Sequence, residues 1–397
     1  MSAHNIFDLI VGPQHPMLKE PERFVFKVEG EYVVDVEPRI GYAHRGIEKA
    51  AENRTFLQIL PLVERVCGIC SNSHTLCYTL ALDELLDLEV PPRAQYIRTL
   101  VAELERIHSH MLCLGVMGHE MGFDSLFMYM WRDREIVMDL LELISGNRVN
   151  YAMNIPGGVR RDLNSETMDK IRKGLEILEK RNKYYKKVFS EDPTVLKRCA
   201  DVGVLKESVA KSLNAVGPTA RASNHKTDVR KDDPYVAYDE IDFQMIVYDT
   251  CDVYARNLVR VDEIIEAINI CKQVLDKLPQ GDYKVKVPPF PKPPEKEVIS
   301  RVEALRGELI YYVKADGKSI KPYRVKIRTP TLLNIMPFCE MVKGNYIADI
   351  PVVLESIDPC FCCEDRLAFV DVRTGKRWVW SLEQIRYLAE KGRLERG

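Results

Sequence analysis

The sequence predicts an α+β fold, a central helical bundle with small peripheral antiparallel sheets. Three observations predict it. Apolar residues recur at three- and four-residue steps through the middle of the chain, the period of a helix with one buried face. Near both ends they alternate instead, the period of half-buried strands. Between the helical middle and the second strand region lies "VPPFPKPP" (287–294), whose five prolines in eight residues enforce an extended connector.

Taken in order, residues 1–60 read mainly as strands. In "RFVFKVEGEYVVDVEP", Phe24, Phe26 and Val28 and then Tyr32, Val34 and Val36 alternate around Glu29-Gly30, a hairpin pattern. Residues 61–286 read as the helical core. Ile97, Leu100, Val101, Leu104, Ile107, Met111 and Leu114 mark a helix through 95–115. Ile136, Val137, Leu140, Leu141 and Ile144 mark another through 130–145, stopped by Gly146-Asn147. Ser165 is the expected N-cap of a charged helix reaching roughly residue 188. A segment over 204–216 ends at Gly217-Pro218. A long helix over roughly 251–278 carries Leu258, Val261, Ile264, Ile265, Ile268 and Leu275 and closes at Pro279. Residues 295–366 return to strands, with a hairpin around Asp316-Gly317 in "GELIYYVKADGKSIKPYRVKIRTPT". Residues 367–397 form a C-terminal extension with a strand-like "LAFVDV" and a helix-like "SLEQIRYLAEKGRL".

Composition narrows the function classes. Hydrophobic residues make up 46% and charged residues 29%, a globular balance with material for a core. The 57 basic and 59 acidic side chains nearly cancel, which argues against nucleic acid and against a polybasic membrane surface. No basic n-region precedes an apolar run at the N-terminus, and no stretch reaches the ~18 apolar residues of a membrane span. Any membrane attachment is therefore expected through partner chains.

The 11 cysteines point to chemistry. Their odd number without a secretion signal argues for reduced thiols. Two pairs stand out, Cys67 and Cys70 in "ERVCGICSNSH", and Cys360 and Cys363 in "SIDPCFCCEDR". A C-x-x-C turn lets both sulfurs reach one ion, and four thiolates suit zinc, nickel or iron–sulfur species rather than magnesium or calcium. A zinc ribbon keeps its pairs about 15–20 residues apart, whereas Cys67 and Cys360 lie 293 positions apart. Clusters at opposite ends predict a single domain over 1–366 that closes on itself. Cys77, Cys113, Cys199, Cys251, Cys271 and Cys339 are scattered and read as small buried hydrophobes. His108 lies on an apolar helix face and reads as core.

"RVCGICSNSH" paired with "DPCFCCEDR" resembles the large subunit of [NiFe] hydrogenases. "GPQHP", "GYAHRGIEKA", "ERIHSHML", "SGNRVNYAMNIPGGVRRD", "GPTARAS", "DVRKDDPYVAYDEIDF" and "PYRVKIRTPT" resemble the membrane-bound, energy-converting branch and the related quinone-site subunit of respiratory complex I. The likeness runs from about residue 10 to 366. It implies a [NiFe]-hydrogenase large-subunit-like fold and an oxidoreductase that forms or oxidises H2.

By that resemblance, Cys67 and Cys360 would be terminal nickel ligands, and Cys70 and Cys363 would bridge nickel to an iron carrying CN and CO. Arg306 would hang over the metals, oriented by Asp358. Glu20 would take protons from a terminal cysteine, and Thr331 would hydrogen-bond a cyanide, although a strand-end threonine is its plainer reading. His74 would hydrogen-bond a bridging sulfur or be a satisfied core histidine. His15 matches a quinone-site histidine of complex I and otherwise steadies its loop.

The resemblance also implies a small subunit with a proximal [4Fe–4S] cluster and a membrane arm that moves ions. The location would be the cytoplasmic face of the cell membrane. Maturation would cut after Arg366 and remove 367–397, unless the tail is a permanent element. Cys362, Leu305 and Asn224 depart from the family pattern, at positions where another small residue, proline and glycine are usual. Two further readings stay open. One is a complex I-like subunit without the metal pair, reducing sulfane sulfur or a quinone. The other is a zinc-stapled structural subunit.

Overall fold

A computed structural model describes residues 6–363, together with Phe369–Val370, Thr374, Arg377–Trp378, Tyr387 and Lys391. Strands β1 (Ile6–Val11), β2 (Arg23–Glu29) and β3 (Tyr32–Arg39) form an antiparallel sheet in that order. The expected hairpin is present, with Phe24, Phe26 and Val28 fully buried. Its second strand breaks the simple alternation. Val28 pairs with Val33 and Lys27 with Asp35, which leaves Val34 as the extra residue of a bulge. Val33 and Val36 therefore face the core, while Tyr32 and Val34 are exposed.

Three helices follow, α1 (Ile47–Glu52), α2 (Leu60–Glu64) and α3 (Ser71–Leu85). The bundle then begins with α4 (Pro92–Glu120) and α5 (Asp124–Ser145), and α5 stops at left-handed Gly146, as its sequence predicts. Two short strands, β4 (Asn154–Ile155) and β5 (Gly158–Val159), lead to α6 (Ser165–Glu191). The N-cap of α6 is Asn164, not Ser165. The Asn164 carboxamide accepts from the Thr167 amide at 2.8 Å, and Ser165 is the first helical residue.

Four short helices come next, α7 (Pro193–Cys199), α8 (Glu207–Ser212), α9 (Gly217–Arg221) and α10 (Val229–Asp232). The segment 204–216 is helical only over α8, because Gly217-Pro218 opens a new helix instead of closing the old one. Proline fits there, since a first-turn residue needs no amide donor. The long helix α11 (Val253–Lys277) is capped by Asp252, which accepts from the Ala255 amide at 2.8 Å.

The second sheet has three strands, β6 (Glu295–Ala304), β7 (Gly307–Asp316) and β8 (Arg324–Arg328). The predicted hairpin is its β7–β8 half, and β6 pairs with β7 along its whole length. Helices α12 (Pro330–Val342) and α13 (Ile350–Ser356) complete the main body, and β9 (Phe369–Val370) pairs with β10 (Arg377–Trp378). Arg366, and all of "SLEQIRYLAEKGRL" except Tyr387 and Lys391, lie outside the described residues.

Two apolar cores result. In the larger, α4 packs against α5 and α11, α6 covers both of those helices, and the first sheet closes one end with α12 and α13. In the smaller, α1, α2 and α3 pack against β6, β7 and β8. Helix α3 is buried around nearly its whole circumference between the two. All four paired cysteines belong to the smaller core. Among the described residues no helix is long and apolar enough to cross a membrane.

Candidate metal centre

The first cysteine pair sits in the turn between α2 and α3. Cys67 Sγ accepts from the Ile69 and Cys70 amides at 3.3 and 3.5 Å, and Cys70 is the N-cap of α3. Both thiols thus lie at a helix N-terminus, where amide dipoles favour thiolate. Glu105 of α4 holds that helix start. Its carboxyl accepts from the Asn72 and Ser73 amides at 2.6 and 2.9 Å and from the Ser73 hydroxyl at 2.6 Å.

The second pair follows α13. Asp358 takes a left-handed φ of 51°, a conformation in which aspartate is one of the enriched side chains, and it reverses the chain ahead of Pro359. Cys360 then donates its amide to Thr331 Oγ1 at 3.2 Å, and Cys363 returns its amide to the Cys360 carbonyl. Thr331 lies in the first turn of α12 rather than at a strand end.

The two turns bring four buried sulfurs together. Cys360 lies 3.1 Å from Cys67 and 3.0 Å from Cys363, and Cys70 lies 3.7 Å from Cys363. All four are within 4.8 Å of one another. Hydrogen bonds from Cys360, Cys363 and Cys70, with Arg306 nearby, hold Cys67 well below the usual thiol range. The bond with Cys360 pushes Cys363 well above it.

Arg306, in the turn between β6 and β7, is buried over this set. Its Nε donates to the Asp358 carbonyl at 2.7 Å and one Nη to the Asp358 carboxylate at 3.1 Å. Burial works against the Asp358 charge, but Arg306 and then Lys19 outweigh it and hold the carboxyl at about 2. The other Nη of Arg306 is buried without a partner among the described residues. A small cavity of about 10 Å³ lies beside it, bounded by Cys70, His74, Arg306, Leu309, Thr331 and Cys363.

His74 contacts Cys363 Sγ at 3.5 Å through Nε2 and the Tyr311 hydroxyl at 2.7 Å through Nδ1. Burial lowers its pKa to about 4 and raises that of Tyr311, so the imidazole is neutral and the phenol keeps its proton. Tyr311 therefore donates to Nδ1, which leaves Nε2–H directed at the sulfur. Glu20 lies at the rim, accepting from the Cys362 amide at 2.6 Å, not from a paired cysteine. Burial and then Glu20 push the Cys362 thiol up to about 12. His15 is exposed and accepts from the Met17 amide at 3.2 Å. His108 is buried, bonded to the Ile69 carbonyl and Tyr151.

Lys19 and Glu355 carry no signal in the sequence motifs. Lys19 Nζ stands 2.6 Å from Glu355 and 3.2 Å from Asp358. Cys113, Glu355 and Asp358 could themselves surround a cation, and the Lys19 ammonium already serves as one. Burial, more than its neighbours, raises Glu355 to about 7. A lysine in a proline-rich loop gives no local sign of burial.

The chain is similar to known proteins over most of its length. The model for the 49 kDa subunit of respiratory-chain NADH dehydrogenase matches residues 120–291 and 287–366, and that for nickel-dependent hydrogenase matches 45–114. The chain belongs to the large-subunit family that these proteins share. Among its relatives, it is 40% identical to the membrane-bound hydrogenase subunit alpha of Pyrococcus furiosus, covering 93% of this chain and 89% of that one. It is 40% identical to the carbon monoxide-induced hydrogenase of Rhodospirillum rubrum, covering 91% and 99%. It is 38% identical to an NADH-quinone oxidoreductase subunit of Rhizobium etli, covering 90% and 95%. A solved structure of the membrane-bound sulfane sulfur reductase, an archaeal respiratory membrane complex, matches with a TM-score of 0.87 at 35% identity, covering 91% and 98%. In this family the chain is an oxidoreductase subunit of a membrane-bound respiratory complex, of hydrogenase or complex I-like type.

Proposed function

We propose that this chain is the catalytic subunit of an energy-converting [NiFe] hydrogenase, forming or oxidising H2. One observation carries the reading: four buried cysteine sulfurs from opposite ends of the chain lie within 4.8 Å of one another. The donor set is soft, as nickel and iron require. The orphaned Arg306 donor beside the cavity suits a ligand that accepts a hydrogen bond, as cyanide does. The Thr331 hydroxyl accepts from the Cys360 amide and lines the same space, where it would donate to such a ligand.

Cys67 and Cys360 would be the terminal nickel ligands, and Cys70 and Cys363 the bridging ones. When bound, such a nickel–iron group supplies the open coordination position at which H2 is made or split. Around it, Arg306 offers a fixed positive charge, held by Asp358 from one side. His74 directs a proton donor at Cys363 and so limits the negative charge that sulfur carries. Glu20 stands at the rim, where a carboxylate can pass protons outward. Electrons would enter through a small subunit with a [4Fe–4S] cluster. The complex would sit peripherally on the cytoplasmic face of the membrane through its partner subunits.

A second reading, reduction of sulfane sulfur or a quinone without the metal pair, is favoured by the likeness to the sulfane sulfur reductase complex. Metal analysis of the complex from its native source separates the readings. Nickel and iron together, with H2-dependent dye reduction, is the expected result. Neither metal in an active complex would favour the second reading, and zinc alone would make the cluster a structural staple.

A further inference from the structure

Cysteine pairs from opposite ends of a chain need something to fix the distance between them. Arg45, in the loop before α1, meets both. Its Nη1 donates to the Arg65 carbonyl at 2.8 Å, and its Nη2 donates to the Val66 carbonyl at 2.7 Å and the Cys362 carbonyl at 2.8 Å. Its Nε closes the loop on itself through the Ala43 carbonyl at 3.2 Å. One planar guanidinium therefore joins the residues just before Cys67 to the residue just before Cys363.

We propose that Arg45 is a positioning residue, a brace that sets the spacing of the two cysteine pairs and so their affinity for metal. The proposal builds on the metal-site reading but not on which metal is native. Its geometry is specific to arginine. A guanidinium presents a rigid fork of donors that reaches three carbonyls at once, whereas a lysine ammonium is a point charge on a flexible stem. Among the described residues, the other hydrogen bonds between the two cysteine segments run through the sulfurs themselves. Arg45 acts on the backbone behind them, so its effect should appear with any soft ion.

The test is Co2+ titration of the complete, metal-free chain, reading the thiolate-to-cobalt charge-transfer absorption. Arg45→Ala should weaken Co2+ binding about 10- to 100-fold, the usual cost of losing a group that orients metal ligands. Low, non-denaturing guanidinium should restore part of that binding. Arg45→Lys should bind as weakly as Arg45→Ala, because it keeps the charge and loses the fork. Arg65→Ala, an exposed neighbour whose guanidinium, among the described residues, bonds to Pro61 and Glu64, is the control and should match the parent chain.

Parent-like binding by Arg45→Ala, or by Arg45→Lys, would overturn the brace. So would a loss equal to that of Arg65→Ala. Should Arg45→Ala fail to fold, Arg45→Lys decides alone. Absence of the cobalt–thiolate band in the parent chain would overturn the brace together with the metal site. A normal cobalt response in a complex that lacks H2 chemistry would overturn only the proposed function.

Discussion

Asp358 and Glu355 share one half-buried ammonium, that of Lys19, and a double-mutant cycle should expose the sharing. Asp358 is fully buried between Arg306 at 3.1 Å and Lys19 at 3.2 Å. At an effective dielectric of about 20, Coulomb's law gives about 5 kcal/mol for a pair at that distance, before desolvation. Removing one partner of a buried pair usually costs about 3–5 kcal/mol. Asp358→Asn should cost less, about 2 kcal/mol. Glu355 is held at about 7 by burial and partly by the Asp358 charge, so losing that charge lets it ionise more fully and take over Lys19.

Glu355→Gln alone should cost about 1 kcal/mol, because Asp358 still pairs with the lysine. The double variant leaves Lys19 without either carboxylate and should cost about 5 kcal/mol. The expected coupling is therefore about 2 kcal/mol, read from urea unfolding of the full chain followed by tryptophan fluorescence. Additivity within about 0.5 kcal/mol would refute the shared-cation argument.

Cys67→Ser or Cys363→Ser should abolish nickel retention and H2-dependent dye reduction, whereas Cys199→Ser, buried against Met121, should keep both; a fully active Cys363→Ser protein would sink the ligand assignment. Glu20→Gln should leave nickel and iron content unchanged while H2 production and H/D exchange fall steeply, and parallel loss of metal and activity would make Glu20 structural. Glu22 is buried with one oxygen that has no partner among the described residues, and burial raises its pKa from 4.5 to about 7. The folded chain thus holds this proton more tightly than the unfolded one. The associated stability is complete below pH 4.5 and is lost as pH rises through 7, by at most about 3 kcal/mol. Glu22→Gln should flatten that slope in thermal unfolding across pH 5–8, and an unchanged slope would exclude Glu22 as its source.

The helices and hairpins were legible because burial imposes a period on the sequence. Local chemistry then moved the details. A single inserted residue in β3 put Val33 inside and Val34 outside, which alternation cannot foresee. Asn164 and Ser165 are both good caps, and only the bond to Thr167 chooses between them. Asn224 occupies a left-handed φ of 57°, so the departure from glycine preserves the backbone conformation that glycine would allow. At the site, the four sulfurs could be read from motif spacing. Lys19, Glu105 and Glu355 could not, because each is defined by what a distant segment brings to it.

The separation of the two cysteine pairs has a consequence in time. Cys70 and Cys363 are 293 residues apart, and a ribosome adds about 5–20 residues per second. The first two thiols therefore exist for roughly 15–60 s before their partners are made. Through that interval the nascent chain offers only a two-sulfur site. Selectivity built on four sulfurs begins only once the last segment has docked, so loading of the proposed metal would be a late step. Metal supplied too early would meet half a site, and for the proposed centre the order of delivery would matter as much as the identity of the ion.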